Sequence, residues 1–236
     1  MQRTRIKICG LTRLEDVQAA VAAGADALGF VFYPNSPRCV SAEQAQALIA
    51  AVPPFVSTVG LFVNASVEQV LAVTRIASLG LLQFHGDESA QHSAALAAAA
   101  GRPYLQAFRV KPDTTGADLL KCEQQHRAAG NLFTGLLLDT HVDAYGGAGK
   151  VFDWSLIPKE LAPRVVLSGG LNVQNAIDAV VRVRPFAVDV SSGVEAFKGI
   201  KDRHKMTALI AAIRAADAIP GIDTEKVGEK SNEHLD

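Results

Sequence analysis

Short apolar runs alternate with alanine-rich helical stretches along almost the whole chain, and about eight strand-helix units can be marked out. "RIKIC" ends at Cys9 and precedes "RLEDVQAAVAAG", whose final Gly24 is a helix stop. "ALGFVFY" precedes "SAEQAQALIAAV", opened by Ser41 as a helix N-cap. "VSTVGLFV", "LLQF" and "YLQAFRV" are each followed by a helical pattern, the last within 114–129. "GLLLD" leads into a glycine-rich loop and a short helix near "DWSLI", "RVVLSGG" precedes "NVQNAIDAVVRV", and "PFAVDVSS" precedes "KDRHKMTALIAAIRAADA".

Alternation of this kind demands parallel strands joined by helical crossovers. Eight units in 236 residues predict a single closed (β/α)8 TIM barrel, a fold of about 250 residues. The alternative is an open doubly wound sheet, but its G-x-G-x-x-G signature is missing after the first strand, where "CGLTRL" has one glycine. No linker divides the chain. One barrel domain is expected over 1–218, with 219–236 as a loose polar tail. A monomer is expected, because a closed barrel has no open sheet edge.

Composition narrows the partners. A formal net charge of -1, with 20% charged residues, argues against a nucleic-acid-binding or membrane-binding surface and leaves small ligands as the default. No apolar run has membrane-spanning length, and the first residues hold no hydrophobic signal core. Cys9, Cys39 and Cys122 are an odd set without paired spacing, which points to a reducing, cytoplasmic setting.

In a (β/α)8 barrel the site lies at the C-terminal strand ends, and side chains alternate along each strand. Lys7 and Cys9 then share a face, as do Gly135, Leu137 and Asp139, and Ala187 and Asp189; Gln83 is the polar residue of the fourth strand. Closure sets the eighth strand beside the first, so Lys7 and Asp189 are expected to pair beneath the pocket, since an unpaired buried charge is very costly. Otherwise Lys7 reaches solvent and Asp189 caps a loop.

Two glycine turns follow strands seven and eight: "SGGLN", with Gly169 and Gly170, and "SSGVE", with Ser191, Ser192 and Gly193. Loops at these positions often hold phosphate on backbone N–H groups; ordinary turn chemistry is the plain alternative. The loop in "YGGAGKVFDW" either folds over a ligand or merely connects. Arg38 in "SPR" either grips a carboxylate with its forked guanidinium or sits on the surface. Cys9 is either a buried packing residue or a thiolate at the pocket mouth. Cys39 and Cys122 read as buried packing residues. His85 reads as structural or supporting, the histidines form no metal-ligand cluster, and His141 and Asp143 fall in the strand-six loop.

"KICGLT", "ADALGFVFYPNSPRCV", "QFHGDE", "LLLDT", "YGGAGKVFDW", "SGGLN" and "DVSSGVE" occur in this order. Together, from about Lys7 to Ala216, they closely resemble the phosphoribosylanthranilate isomerase family of tryptophan biosynthesis. The resemblance implies an Amadori rearrangement of N-(5-phosphoribosyl)anthranilate with Cys9 as general base and Asp139 as general acid. It places Arg38 on the anthranilate end and the two glycine turns on the phosphate; Gln83, His85 and Asp189 complete the expected substrate-binding set. No metal or organic cofactor is expected, because hydrogen only moves within the substrate. Lys7 is expected to lower the Cys9 pKa unless Asp189 neutralises it. Two departures stand out: Ala148 replaces the threonine of a frequent "GGTG", and Phe84 replaces a common leucine at an outward packing position. A phosphosugar epimerase would need a metal-ligating His/Asp set at the strand ends, and an indoleglycerol-phosphate synthase would use lysine and glutamate. A non-catalytic phosphate-ligand sensor on the same barrel is the reading from another class; turnover separates it.

Overall fold

The computed structural model describes residues 3–140 and 151–219. Its strands are β1 (Arg5–Cys9), β2 (Ala27–Val31), β3 (Ser57–Phe62), β4 (Leu81–Phe84), β5 (Tyr104–Val110), β6 (Phe133–Thr140), β7 (Val166–Leu167) and β8 (Ala187–Val190). They close into one barrel in sequence order, every neighbouring pair parallel, with β8 against β1. The helices are α1 (Leu14–Ala23), α2 (Ala42–Ile49), α3 (Val67–Ile76), α4 (Ala90–Ala100), α5 (Gly116–Ala129), α6 (Ala176–Val183) and α7 (Arg203–Ala218). The predicted (β/α)8 TIM barrel is the observed fold.

Local chemistry sets the boundaries. Ser41, Ser66 and Thr115 each form a capping box that satisfies orphan N–H groups at a helix start. Gly24 and Gly101 end α1 and α4 in the left-handed conformation.

Outside the sheet, tilted rings pack from strand to strand: Phe62, Phe84, Tyr104 and Phe133 follow one another at centroid separations of 6.4, 5.5 and 5.5 Å. Phe84 thus takes the outward packing position expected of it. Inside, Leu105, Ala107, Leu137, Val166 and Ala187 fill a separate small cluster. The interior is therefore apolar at this level, while Lys7, Gln83 and Asp189, also buried, lie further along their strands.

The end of the chain departs from a plain strand-helix repeat. Between β8 and α7 the backbone makes a 3-10 turn at Ser192–Val194, then a small antiparallel hairpin, β9 (Glu195–Phe197) and β10 (Ile200–Lys201). Gly199, at φ 80°, permits the reversal. Strands this short have no detectable period. Near "DWSLI" the helix is a single 3-10 turn, Trp154–Leu156, capped by Asp153. Cys39 is exposed and Cys122 half-buried, so neither is the buried residue expected. Among the described residues no helix is long and apolar enough to cross a membrane.

One buried histidine carries a stability prediction. His126 on α5 is 3% exposed, its Nδ1 3.1 Å from the Tyr104 hydroxyl. Burial lowers its pKa from 6.5 to about 4, so neutral Nδ1 accepts the tyrosine proton. The unfolded chain protonates first, so stability is intact above the unfolded value and is lost as pH falls toward about 4. That loss is on the order of 3 kcal/mol. Urea unfolding of wild type and His126→Gln at neutral and acidic pH should show this share of the acid sensitivity in wild type alone.

Candidate active site

Barrel closure brings Lys7 level with Asp189 in the β1–β8 register. Lys7 Nζ donates to Asp189 Oδ1 at 2.7 Å, and the Ser168 hydroxyl lies 3.2 Å from Oδ2. The ion pair expected from alternation is present and buried. Such a pair offsets its own desolvation rather than adding much stability, but breaking it leaves a buried charge. Asp189, the one carboxylate of the expected substrate-binding set, is buried with both oxygens engaged.

Cys9 ends β1, one alternation above Lys7, and is 4% exposed. Its register partner on β2 is Gly29, where a Cβ would stand 2.7 Å from the thiol sulfur. Any side chain there would displace the thiol. Burial pushes the Cys9 thiol up; Lys7 pulls it down and Asp189 pushes it up again, for a net rise. Lys7 does pull the thiol down as expected, but desolvation by burial outweighs that pull. Lys7 itself, pushed down by burial, is raised overall by Asp189 and Cys9.

Across the mouth, Asp139 near the end of β6 meets His85, whose Nε2 is 3.1 Å from Oδ2. His85 Nδ1 is 2.9 Å from Gln83 Nε2. With the amide nitrogen donating, Nδ1 accepts and Nε2–H donates to the Asp139 carboxylate. Rotating the amide by half a turn reverses the chain: Gln83 Oε1 accepts from Nδ1–H, and Nε2 accepts a proton from the Asp139 carboxyl. Gln83 Oε1 and Thr140 Oγ1 are buried and lack partners among the described residues.

The two glycine turns meet. Gly169 and Gly170 are consecutive left-handed residues at φ 81° and 69°. A Cβ on Gly169 would collide with the Thr140 backbone and stand 2.7 Å from Asp139 Oδ1, so only glycine fits both the turn and the neighbouring acid. Gly193, in the turn with Ser191 and Ser192, packs directly on the backbone of Leu171 and Asn172.

Arg38 reaches the same mouth by lying across Gly10, whose missing Cβ leaves space beside the arginine stem and Ser191 Oγ. Its guanidinium is already engaged: Nε donates to Glu195 Oε1 at 2.7 Å and Nη2 to Oε2 at 2.8 Å. Lys201 Nζ donates to the same Oε1 at 2.9 Å. Sequence reasoning passed over both partners. Glu195 stood at the end of a turn read for its glycine, and Lys201 stood in a charged stretch indistinguishable from a solvated helix start.

Two groups result. Cys9, Arg38, Asp189 and Ser191 gather where β1 meets β8; Gln83, His85, Asp139 and Gly169 gather around β4, β6 and the turn after β7. His141, Asp143, Ala148 and the rest of the strand-six loop through 150 lie outside the described residues, as does the tail from 220.

Comparison with known proteins agrees with this geometry. The family model for N-(5'-phosphoribosyl)anthranilate isomerase matches residues 6–212. A relative of that name from Herminiimonas arsenicoxydans is 67% identical over 218 residues, which cover 92% of this chain and 96% of the relative. The crystal structure of phosphoribosyl anthranilate isomerase from Thermotoga maritima superposes with a TM-score of 0.79 at 42% identity, covering 90% of this chain and 99% of that one. A second structure of the enzyme, in complex with reduced 1-(o-carboxyphenylamino)-1-deoxyribulose 5-phosphate, gives 0.76 at 40% identity with the same coverage. The chain therefore belongs to the N-(5'-phosphoribosyl)anthranilate isomerase family.

Proposed function

We propose that this chain converts N-(5-phosphoribosyl)anthranilate to 1-(2-carboxyphenylamino)-1-deoxyribulose 5-phosphate for tryptophan biosynthesis, with Asp139 as general acid and Cys9 as general base. The observation that carries the reading is one thiol and one carboxylate at the mouth ends of β1 and β6, above an apolar interior.

Asp139 gives a proton to the ribose ring oxygen. The C1–O bond breaks, the anilino nitrogen's lone pair forms the C=N bond, and the ring opens to an iminium. Cys9 thiolate then takes the proton from C2, and the C2–H electron pair forms the C1=C2 bond of an enaminol. Protonation at C1 and loss of the O2 proton leave the ketone, so hydrogen is conserved within the substrate. The Gln83–His85 chain orients the acid: with the amide nitrogen donating to Nδ1, His85 Nε2–H holds Asp139 Oδ2 and leaves Oδ1 to carry the proton to the ring oxygen. Asp189 keeps Lys7 in place and lies at the floor of the sugar site. The turns at Gly169–Gly170 and Ser191–Gly193 supply N–H groups for the phosphate. Arg38 takes the anthranilate carboxylate.

Decay of substrate fluorescence, with phosphoribosylanthranilate made in situ, tests the reaction. Fast decay on adding the protein supports it; decay at the uncatalysed rate refutes it and leaves the phosphate-ligand sensor. Arg38→Ala should raise KM about tenfold or more with a smaller change in kcat, as expected for loss of a charge-assisted hydrogen bond. An unchanged KM would remove Arg38 from the substrate site. The proposal includes one barrel domain over 1–218, action in the cytoplasm and a monomeric state; light scattering of the full chain tests the last.

A further inference from the structure

Lys201 is the most enclosed charge near the site. Its side chain is 0% exposed. Besides Glu195 Oε1, its ammonium lies 3.1 Å from the Ser191 carbonyl oxygen and 3.4 Å from Ser191 Oγ. Its backbone N–H donates to Asp16 Oδ2 at 3.1 Å, and Asp16 is gripped by Arg13 through two bonds of 3.0 and 2.7 Å. The residue is thus fixed at both its backbone and its head.

Burying an ammonium costs several kcal/mol, and a structural need to satisfy Glu195 does not account for it. Arg38 already covers both carboxylate oxygens. Counting charge gives a clearer reason. Arg38 and Glu195 alone sum to zero, which would present a neutral pair to an anionic ligand. With Lys201 the cluster carries one net positive charge. Lys201 has no surface to offer a ligand, whereas Arg38 retains partial exposure, and its Nη1 has no hydrogen-bond partner among the described residues.

We propose that Lys201 is a positioning residue that neutralises Glu195, so that Arg38 is held in a fixed orientation yet keeps its full charge for the substrate carboxylate. The inference rests on Arg38 as the carboxylate site. Glu195 provides the aim and Lys201 restores the charge that this aim would otherwise cancel.

The charge count makes a prediction that a packing role does not. Binding of reduced 1-(o-carboxyphenylamino)-1-deoxyribulose 5-phosphate, and of the same compound without its ring carboxylate, is measured by calorimetry. Wild type should prefer the carboxylated ligand by about tenfold or more. Lys201→Met, with zero net charge, should lose most of that preference, whatever loss of its Ser191 contacts costs both phosphorylated ligands alike. Glu195→Gln with Lys201→Met returns the net charge to one and should restore the preference. If Lys201→Met does not fold, Lys201→Gln takes its place with the same expectation. A wild-type preference in the lysine variant, or a double variant no better than the single one, would overturn the proposal. Equal binding of the two ligands by wild type would instead overturn the Arg38 reading itself.

Discussion

Cys9→Ala should lower kcat by about 10²–10⁴-fold, the usual contribution of a positioned base, while circular dichroism and the urea midpoint stay close to wild type. The small effect on folding follows from the size of the change: one sulfur is removed from a site walled by Gly29, not a large side chain from the packed outer layer. The buried thiol adds a pH signature. Its pKa is raised above the ordinary thiol value, by burial first. At neutral pH most molecules therefore hold the thiol, and the thiolate fraction grows as pH rises. Wild-type kcat should climb on the alkaline side of neutrality and the alanine variant should not. A flat wild-type profile, or near-normal turnover by Cys9→Ala, would reject the assignment. Lys7→Met removes the nearest cation pulling the thiol down and should move the wild-type rise to still higher pH.

Asp139→Asn should lower kcat by a similar factor, about 10²–10⁴-fold, because an amide keeps the shape of the acid but has no carboxyl proton to transfer to the ring oxygen. The isosteric change matters here. Gly169 packs against Oδ1 and His85 against Oδ2, so a larger replacement would disturb the glycine turn after β7 as well as the carboxyl position. KM for Asp139→Asn should change much less than kcat, separating loss of the proton donor from loss of binding. The ring-opening step can be isolated. If a substrate analogue with the ring already open is turned over by Asp139→Asn at a rate near wild type, the acid acts on the ring oxygen; equal defects on both substrates would place its role elsewhere.

The architecture was legible because it depends on repetition. Each short apolar run and each capped helix is a local signal, and eight of them in one order leave few folds to choose from. Alternation along single strands was equally readable: it put Lys7 with Cys9 and Ala187 with Asp189, and closure supplied the Lys7–Asp189 pair. The β9–β10 hairpin was not legible, since strands of two or three residues carry no period. The two catalytic candidates came from the ordered motifs; composition and periodicity left Cys9 equally explicable as a packing residue.

What the sequence by itself determined is the barrel, its strand order and the inward faces, because hydrophobic period and helix capping are properties of neighbouring residues. What only the tertiary structure decided is how the charges resolve. The net rise of the Cys9 thiol depends on desolvation outweighing Lys7, and desolvation is a property of the closed barrel. The joining of Arg38 to Glu195 spans 157 positions of chain, and the Asp139–His85 contact spans 54. Such pairings arise from strand register, loop path and the exclusion of water, which act across the chain and leave no mark in any local stretch of it.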